Sequence, residues 1–78
     1  MRIIAELPHP DCRISIFAMN GKFIVKLEQG SLEQSYKIPE TDVTGGVDGL
    51  LERLDETFVQ EAVAHFAGMR KSLQQLRI

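Results

Sequence analysis

The chain has 78 residues, nine Lys and Arg against eleven Asp and Glu, a 44% hydrophobic share and a single Cys. That length holds one domain (1–78), and the ordinary balance of apolar and charged residues excludes disorder and low complexity. Cys12 alone closes no internal disulfide, no run approaches the ~18 apolar residues of a membrane span, and a net charge of −2 predicts no general affinity for phosphate backbones or anionic lipid.

Residues 2–39 predict a four-stranded antiparallel β-meander. Ile3, Ala5 and Leu7 alternate with Arg2, Ile4 and Glu6, the period of a half-buried strand. The loop Pro8-His9-Pro10-Asp11 is expected to pair Glu6 with Arg13 and Ala5 with Ile14. In the next run Cys12, Ile14, Ile16 and Ala18 alternate with Arg13, Ser15, Phe17 and Met19. Asn20-Gly21 is a strong hairpin signal, because a type I′ turn needs φ > 0 at both central residues. It sets Met19 opposite Lys22, Phe17 opposite Ile24, Ile16 opposite Val25 and Arg13 opposite Glu28. Phe23, Val25 and Leu27 then alternate with Lys22, Ile24, Lys26 and Glu28. Gly30-Ser31 suits a II′ turn, placing Val25 opposite Tyr36 and Phe23 opposite Ile38. The last run carries Leu32, Tyr36 and Ile38 on one face, with Gln34 among them. All three registers gather the apolar residues on one side, and a one-residue slip would undo that agreement. The predicted strand order is 1-2-3-4.

Pro39 ends the last strand, and residues 40–47 read as a polar, Gly-rich connection. Over residues 48–76 the period becomes 3.6: Leu50, Leu51, Leu54, Phe58, Ala62, Phe66, Met69, Leu73 and Leu76 recur in steps of three and four, with Asp48 the expected N-cap. Residues 1–39 carry +1 and residues 40–78 carry −3. In the second half the acids come early and the bases late, the polarity a helix dipole favours. One helix over 48–76 would be about 43 Å long, whereas strands of this size span about 20–27 Å. Three arrangements reconcile the lengths. The helix breaks near Asp55-Glu56-Thr57, with Thr57 and Gln60 as a capping box; it weakens at Gly68; or its overhang packs on a second subunit. The expected fold is α+β, with the helical segment, one long helix or two shorter ones, on one face of the meander. Ile3, Ala5, Leu7, Ile14, Ile16, Phe23, Val25, Leu27, Tyr36 and Ile38 should meet Leu50, Leu51, Leu54, Phe58, Ala62 and Phe66.

Motifs for chemistry are sparse. His9, Asp11 and Cys12 cluster in the first loop, but their spacing matches no metal-ligand pattern and Cys12 falls on the core face. A nucleophile built on His9 and Cys12 would need a depressed thiol pKa. His65 has no second His near it in sequence. Gly45, Gly46 and Gly49 precede a helix without the spacing or βαβ setting of a phosphate cradle. No catalytic, cofactor-binding or metal site is expected. The informative feature is the sheet face opposite the core. It collects Arg2, Arg13, Lys22, Lys26 and Lys37, the acids Glu6, Glu28 and Glu33, and the apolar Ile4, Phe17, Met19 and Ile24. Such a face serves as a solvated surface, as a sticky patch for a protein partner or a second copy, or as a platform for single-stranded nucleic acid through phosphate contacts and stacking on Phe17.

Four antiparallel strands followed by a C-terminal helix resemble the unit of the PUR-repeat and Whirly families. The arrangement is also similar to a class of single-stranded-DNA-binding transcriptional coactivators, and Gly21-Lys22-Phe23-Ile24-Val25-Lys26-Leu27-Glu28 looks like a PUR strand. The resemblance implies pairing of units and binding of single-stranded nucleic acid. Separately, Ile4-Ala5-Glu6-Leu7-Pro8-His9-Pro10 with Leu32-Glu33-Gln34-Ser35-Tyr36-Lys37-Ile38 is similar to a small uncharacterised bacterial protein family, a resemblance that covers the whole chain and implies no activity. A domain of this size, with about 4–12 kcal/mol of stability, gains from pairing with another copy. The expectation is a non-catalytic, self-associating homodimer without cofactor. A protein partner fits better than nucleic acid, and no membrane contact is expected. Glu6 interrupts any leader-like apolar run, which points to the cytoplasm.

Overall fold

Two tight turns organise the sheet. Asn20 and Gly21 both adopt positive φ, 50° and 75°, the requirement of a type I′ hairpin. The computed structural model describes residues 2–77. In chain order the elements are β1 (Arg2–Leu7), β2 (Arg13–Met19), β3 (Lys22–Gln29), β4 (Leu32–Pro39), a 3₁₀ turn (Glu40–Asp42), α1 (Gly46–Arg53) and α2 (Glu56–Leu76). The strands form one antiparallel sheet in the order β1-β2-β3-β4, and the fold is α+β. Met19 pairs with Lys22, Phe17 with Ile24, Ile16 with Val25 and Arg13 with Glu28. Val25 pairs with Tyr36 and Phe23 with Ile38. Among the described residues no helix is long and apolar enough to cross a membrane.

The first hairpin departs from the sequence expectation. Leu7 lies opposite Ile14, Glu6 opposite Ser15 and Ala5 opposite Ile16, a displacement of two residues. Pro8 and Pro10 lack an N–H, and the His9 ring takes the Asp11 amide (Nδ1 accepting at 3.1 Å), so ladder pairing starts only at Ile14. An even displacement keeps Ala5 and Leu7 on the core side. The register then shifts between Ile3 and Ala5, leaving Ile3 opposite Phe17 and Arg2 opposite Ala18. Ile4 is the extra residue of a β-bulge, which re-aims the side chains before it. Ile4 packs against the core while Ile3 is 50% exposed, the reverse of the expected pair.

The helical half is two helices. Gly45 and Gly46, at φ 86° and 62°, turn the chain into α1 two residues before Asp48. Asp48 therefore lies in the first turn and is not the cap. Gly49 packs so tightly on Thr44 that a Cβ there would stand 1.8 Å from the Thr44 carbonyl oxygen. The chain leaves helical geometry at Leu54 and Asp55, and the Asp55 carboxylate caps α2 by accepting from the Phe58 amide (2.9 Å). The break lies where the first of the three arrangements put it, with Asp55 and not Thr57 as cap. Helix α2 continues unbroken through Gly68.

The break resets the helical phase. Helix α2 buries Val59, Ala62 and Phe66, and Val59 escapes a stripe read continuously from Leu50. Phe66, Ile16 and Leu27 are fully buried, with Ile14, Phe23, Val25 and Leu50 around them. Tyr36 stays on the rim, 36% exposed and edge-on to Phe58 with ring centroids 5.6 Å apart. Polar ties hold α2 along the sheet. Gln34 Nε2 donates to the Ala62 carbonyl (2.8 Å), and Gln29 joins the Asp11 carbonyl (2.9 Å) to Arg70. At 21 residues α2 is about 31 Å long, and the molecule measures 45 Å along its longest axis. Leu76, in its last turn, is 76% exposed. Acid-first polarity holds at Glu56, but the last turn of α2 carries no base.

Candidate interaction surface

Both helices lie on one side of the sheet, so the other face is open. The register orders it in four cross-strand rows. Arg13, Glu28 and Glu33 form the first, and Glu6, Ser15, Lys26 and Ser35 the second. Ile3, Phe17, Ile24 and Lys37 form the third, and Met19, Lys22 and Pro39 the fourth. The first two rows are an ion-pair lattice. Arg13 bonds Glu6 (3.0 Å), and Lys26 lies between Glu33 (3.4 Å) and Glu28 (3.9 Å). The Glu6 hydrogen bond pushes the Arg13 pKa up, aided by the charges of Glu6 and Glu28. Ser15 is buried in the middle of this lattice, 3% exposed.

The other end of the face is apolar. Ile24 is 8% exposed although no helix covers it, flanked by Phe17 and Lys37. Ile3 and Met19 remain open to solvent at 50% and 36%. Lys22 and Lys37 border this patch and make no ion pair among the described residues.

Of the nine residues expected on this face, Arg13, Phe17, Met19, Lys22, Ile24, Lys26 and Lys37 lie on it. Arg2 and Ile4 do not. The bulge carries Arg2 to the side of Ala18 and turns Ile4 toward the core. Ile3 takes the place assigned to Ile4. No local signal distinguishes two adjacent isoleucines, so the gain of Ile3 was not readable from the residues. The face is left with four basic and three acidic side chains, a net +1.

On the helix side, the first loop docks against the start of α2. His9 Nδ1 accepts from the Asp11 amide, so its proton sits on Nε2, which donates to both Glu56 oxygens (3.2 Å each). Glu56 also accepts from Gln60 (2.7 Å). Gln60 foremost and His9 second hold the Glu56 carboxyl below the usual range. Cys12 is buried beneath this cluster, and burial, with the charges of Asp11 and Glu56, pushes its thiol up. That direction is opposite to the one an activated thiolate needs, and both His9 nitrogens are already engaged. The cluster is a structural clasp between the loop and the helix. No group of three or more His, Cys, Asp or Glu among the described residues is arranged to hold a metal ion. His65 lies exposed on α2.

A groove of about 520 Å³ runs along β4, between the strand and the α1–α2 junction. Tyr36, Ile38, Val43, Leu54 and Phe58 wall it, and Arg53 also lines it. Comparison of the chain with protein-family models, with curated proteins and with solved structures finds no match.

Proposed function

We propose that this chain is a non-catalytic interaction module that self-associates as a homodimer and offers the open face of its sheet to a protein surface. The observation that supports the reading is the uncovered apolar row Ile3–Phe17–Ile24 with Met19 beside it. Monomeric domains rarely leave contiguous apolar surface open without a use for it, and a core this small gains stability from a second copy. The paired charges at the far end leave the face nearly neutral, which suits a protein contact better than a phosphate backbone. Light scattering at micromolar concentration should give twice the chain mass of 8.8 kDa. A stable mass of 8.8 kDa would overturn self-association.

A second reading, single-stranded nucleic acid on the same face, is favoured by one observation. Lys22 and Lys37, free of ion pairs among the described residues, border the Phe17 end of the face. That reading predicts salt-dependent oligonucleotide binding, weakened by Phe17→Ala. It ends if no binding is seen at low salt.

A further inference from the structure

Strand β4 is the last strand of the sheet, and one of its two long sides has no neighbouring strand. The Glu40 amide donates to the Gly21 carbonyl (2.9 Å), and this bond sets the phase of the β3–β4 ladder. Hydrogen-bonded pairs recur every second residue in an antiparallel ladder, so Ile38, Tyr36, Gln34 and Leu32 turn their backbone groups toward β3. Lys37, Ser35 and Glu33 turn theirs outward to the free edge. Pro39, the next outward position, has no N–H and closes the series.

We infer that this edge joins two copies of the chain, β4 to β4, antiparallel, about a two-fold axis at Ser35. The inference rests on the reading that the chain self-associates and names the surface that does it. Only outward residues exchange hydrogen bonds across the seam, which leaves few symmetric registers. Centring on Glu33 or on Lys37 sets like charges opposite each other, which is destabilising. Centring on Tyr36 leaves Lys37 against Ser35 and Glu33 against Pro39, so no charge is paired. Centring on Gln34 leaves Glu33 against Ser35 and Lys37 against Ser31, with no charge paired. Centring on Ser35 sets Glu33 opposite the second copy's Lys37 at both ends of the seam, with Ser35 opposite itself.

The same register suits the helix side. It brings Leu32 opposite the second copy's Ile38 and Gln34 opposite its Tyr36. The groove of about 520 Å³ beside Tyr36 and Ile38 gives the incoming Leu32 an apolar bed walled by Val43, Leu54 and Phe58, while Gln34 keeps its bond to Ala62 within its own copy. The product is a continuous eight-stranded sheet. Both open faces lie on the same side of it, so the contact surface proposed above is doubled and left free.

The test uses the intact chain at micromolar concentration. Lys37→Glu sets Glu opposite Glu33 twice and should loosen the dimer about tenfold or more. Adding Glu33→Lys to it restores the opposite charges and should recover the dimer. Ser35→Cys places two thiols at a Cα separation of about 5.5 Å, inside the range a disulfide bridges. Mild oxidation should therefore cross-link Ser35→Cys but not Glu33→Cys, and the buried Cys12 does not compete. A dimer indifferent to Lys37→Glu, no recovery in the double variant, or no cross-link through Ser35→Cys would overturn the edge contact. A dimer that Phe17→Glu dissociates while Lys37→Glu leaves it intact would place the contact on the open face, sinking the edge and sparing self-association. A wild-type mass of 8.8 kDa removes both.

Discussion

Replacing Asp55 by Ala separates two architectures by the sign of its effect. In the structure Asp55 has an extended backbone, and its carboxylate accepts the Phe58 amide at 2.9 Å, filling one of the four unpaired donors at the start of α2. Loss of such a cap costs about 1 kcal/mol, within a range of about 0.5–2. In a domain of this size that lowers the melting temperature by about 4–8 °C per kcal/mol. Were residues 48–76 one continuous helix, Asp55 would be an exposed interior position, where Ala is the better residue by roughly 0.5 kcal/mol. The same substitution would then stabilise. Urea unfolding followed by far-ultraviolet circular dichroism reads the difference, and the chain has no Trp to provide a simpler signal. Asp55→Asn retains an acceptor and should cost much less than Asp55→Ala. An Asp55→Ala variant as stable as the parent, or more so, would refute the capped break.

Two other outcomes follow from local geometry. Gly49→Ala puts a Cβ 1.8 Å from the Thr44 carbonyl oxygen and 2.9 Å from its carbon, so the helix-favouring exchange should instead destabilise by about 1–3 kcal/mol; equal or higher stability in urea would show that the approach to α1 is not tight. Glu56 has a depressed folded-state pKa, from Gln60 first and His9 second, so its contribution is present above the ordinary carboxylate value of about 4.3 and is lost as pH falls through the depressed one. Thermal melts from pH 6 to pH 3 should therefore show a shallower acid-side decline in Glu56→Gln than in the parent, and parallel curves would count against the clasp.

Legibility differed between the two ends of the sheet. From Ile14 to Ile38 every core-side position but Gln34 is apolar and the turns are two residues long, so turn chemistry and burial agree and only one register satisfies both. The first hairpin lacked that double constraint. Its loop contains two prolines and a histidine that captures a backbone amide, and none of these specifies how many residues leave the ladder. Ile3 and Ile4 are chemically identical, so hydrophobicity could not say which one faced the helices. In the helical half the apolar steps fitted one phase or two about equally well. The decision lay with Asp55, whose short carboxylate competes for a backbone donor, and Val59 surfaced as a core residue only after that phase was reset. The outward amides of β4 follow from the same turns, since a two-residue loop makes Gln29 and Leu32 a hydrogen-bonded pair and so fixes the pairing phase.

The bulge at Ile4 changes the balance between the two readings of the open face. A flat strand would put Arg2 and Ile4 there, a face of +2 with its one aromatic between basic neighbours. With one extra residue in the ladder the face loses the Arg2 charge and exchanges a packed isoleucine for one that is 50% exposed. Charge falls and open apolar surface grows in the same step. The remaining cations are unevenly free, since Arg13 and Lys26 are held by three glutamates while Lys22 and Lys37 are not. A single strand of nucleic acid needs a track of phosphate contacts along its length, and two lysines at one end of a face do not make a track. An apolar row with a positive border needs only a complementary patch, greasy at its centre and acidic at its rim. Lys37 also belongs to both surfaces, bordering the apolar row and standing on the free edge beside Ser35. In the proposed assembly a partner on the face and a second copy at the edge would share that one charge, so Lys37→Glu should weaken both contacts together.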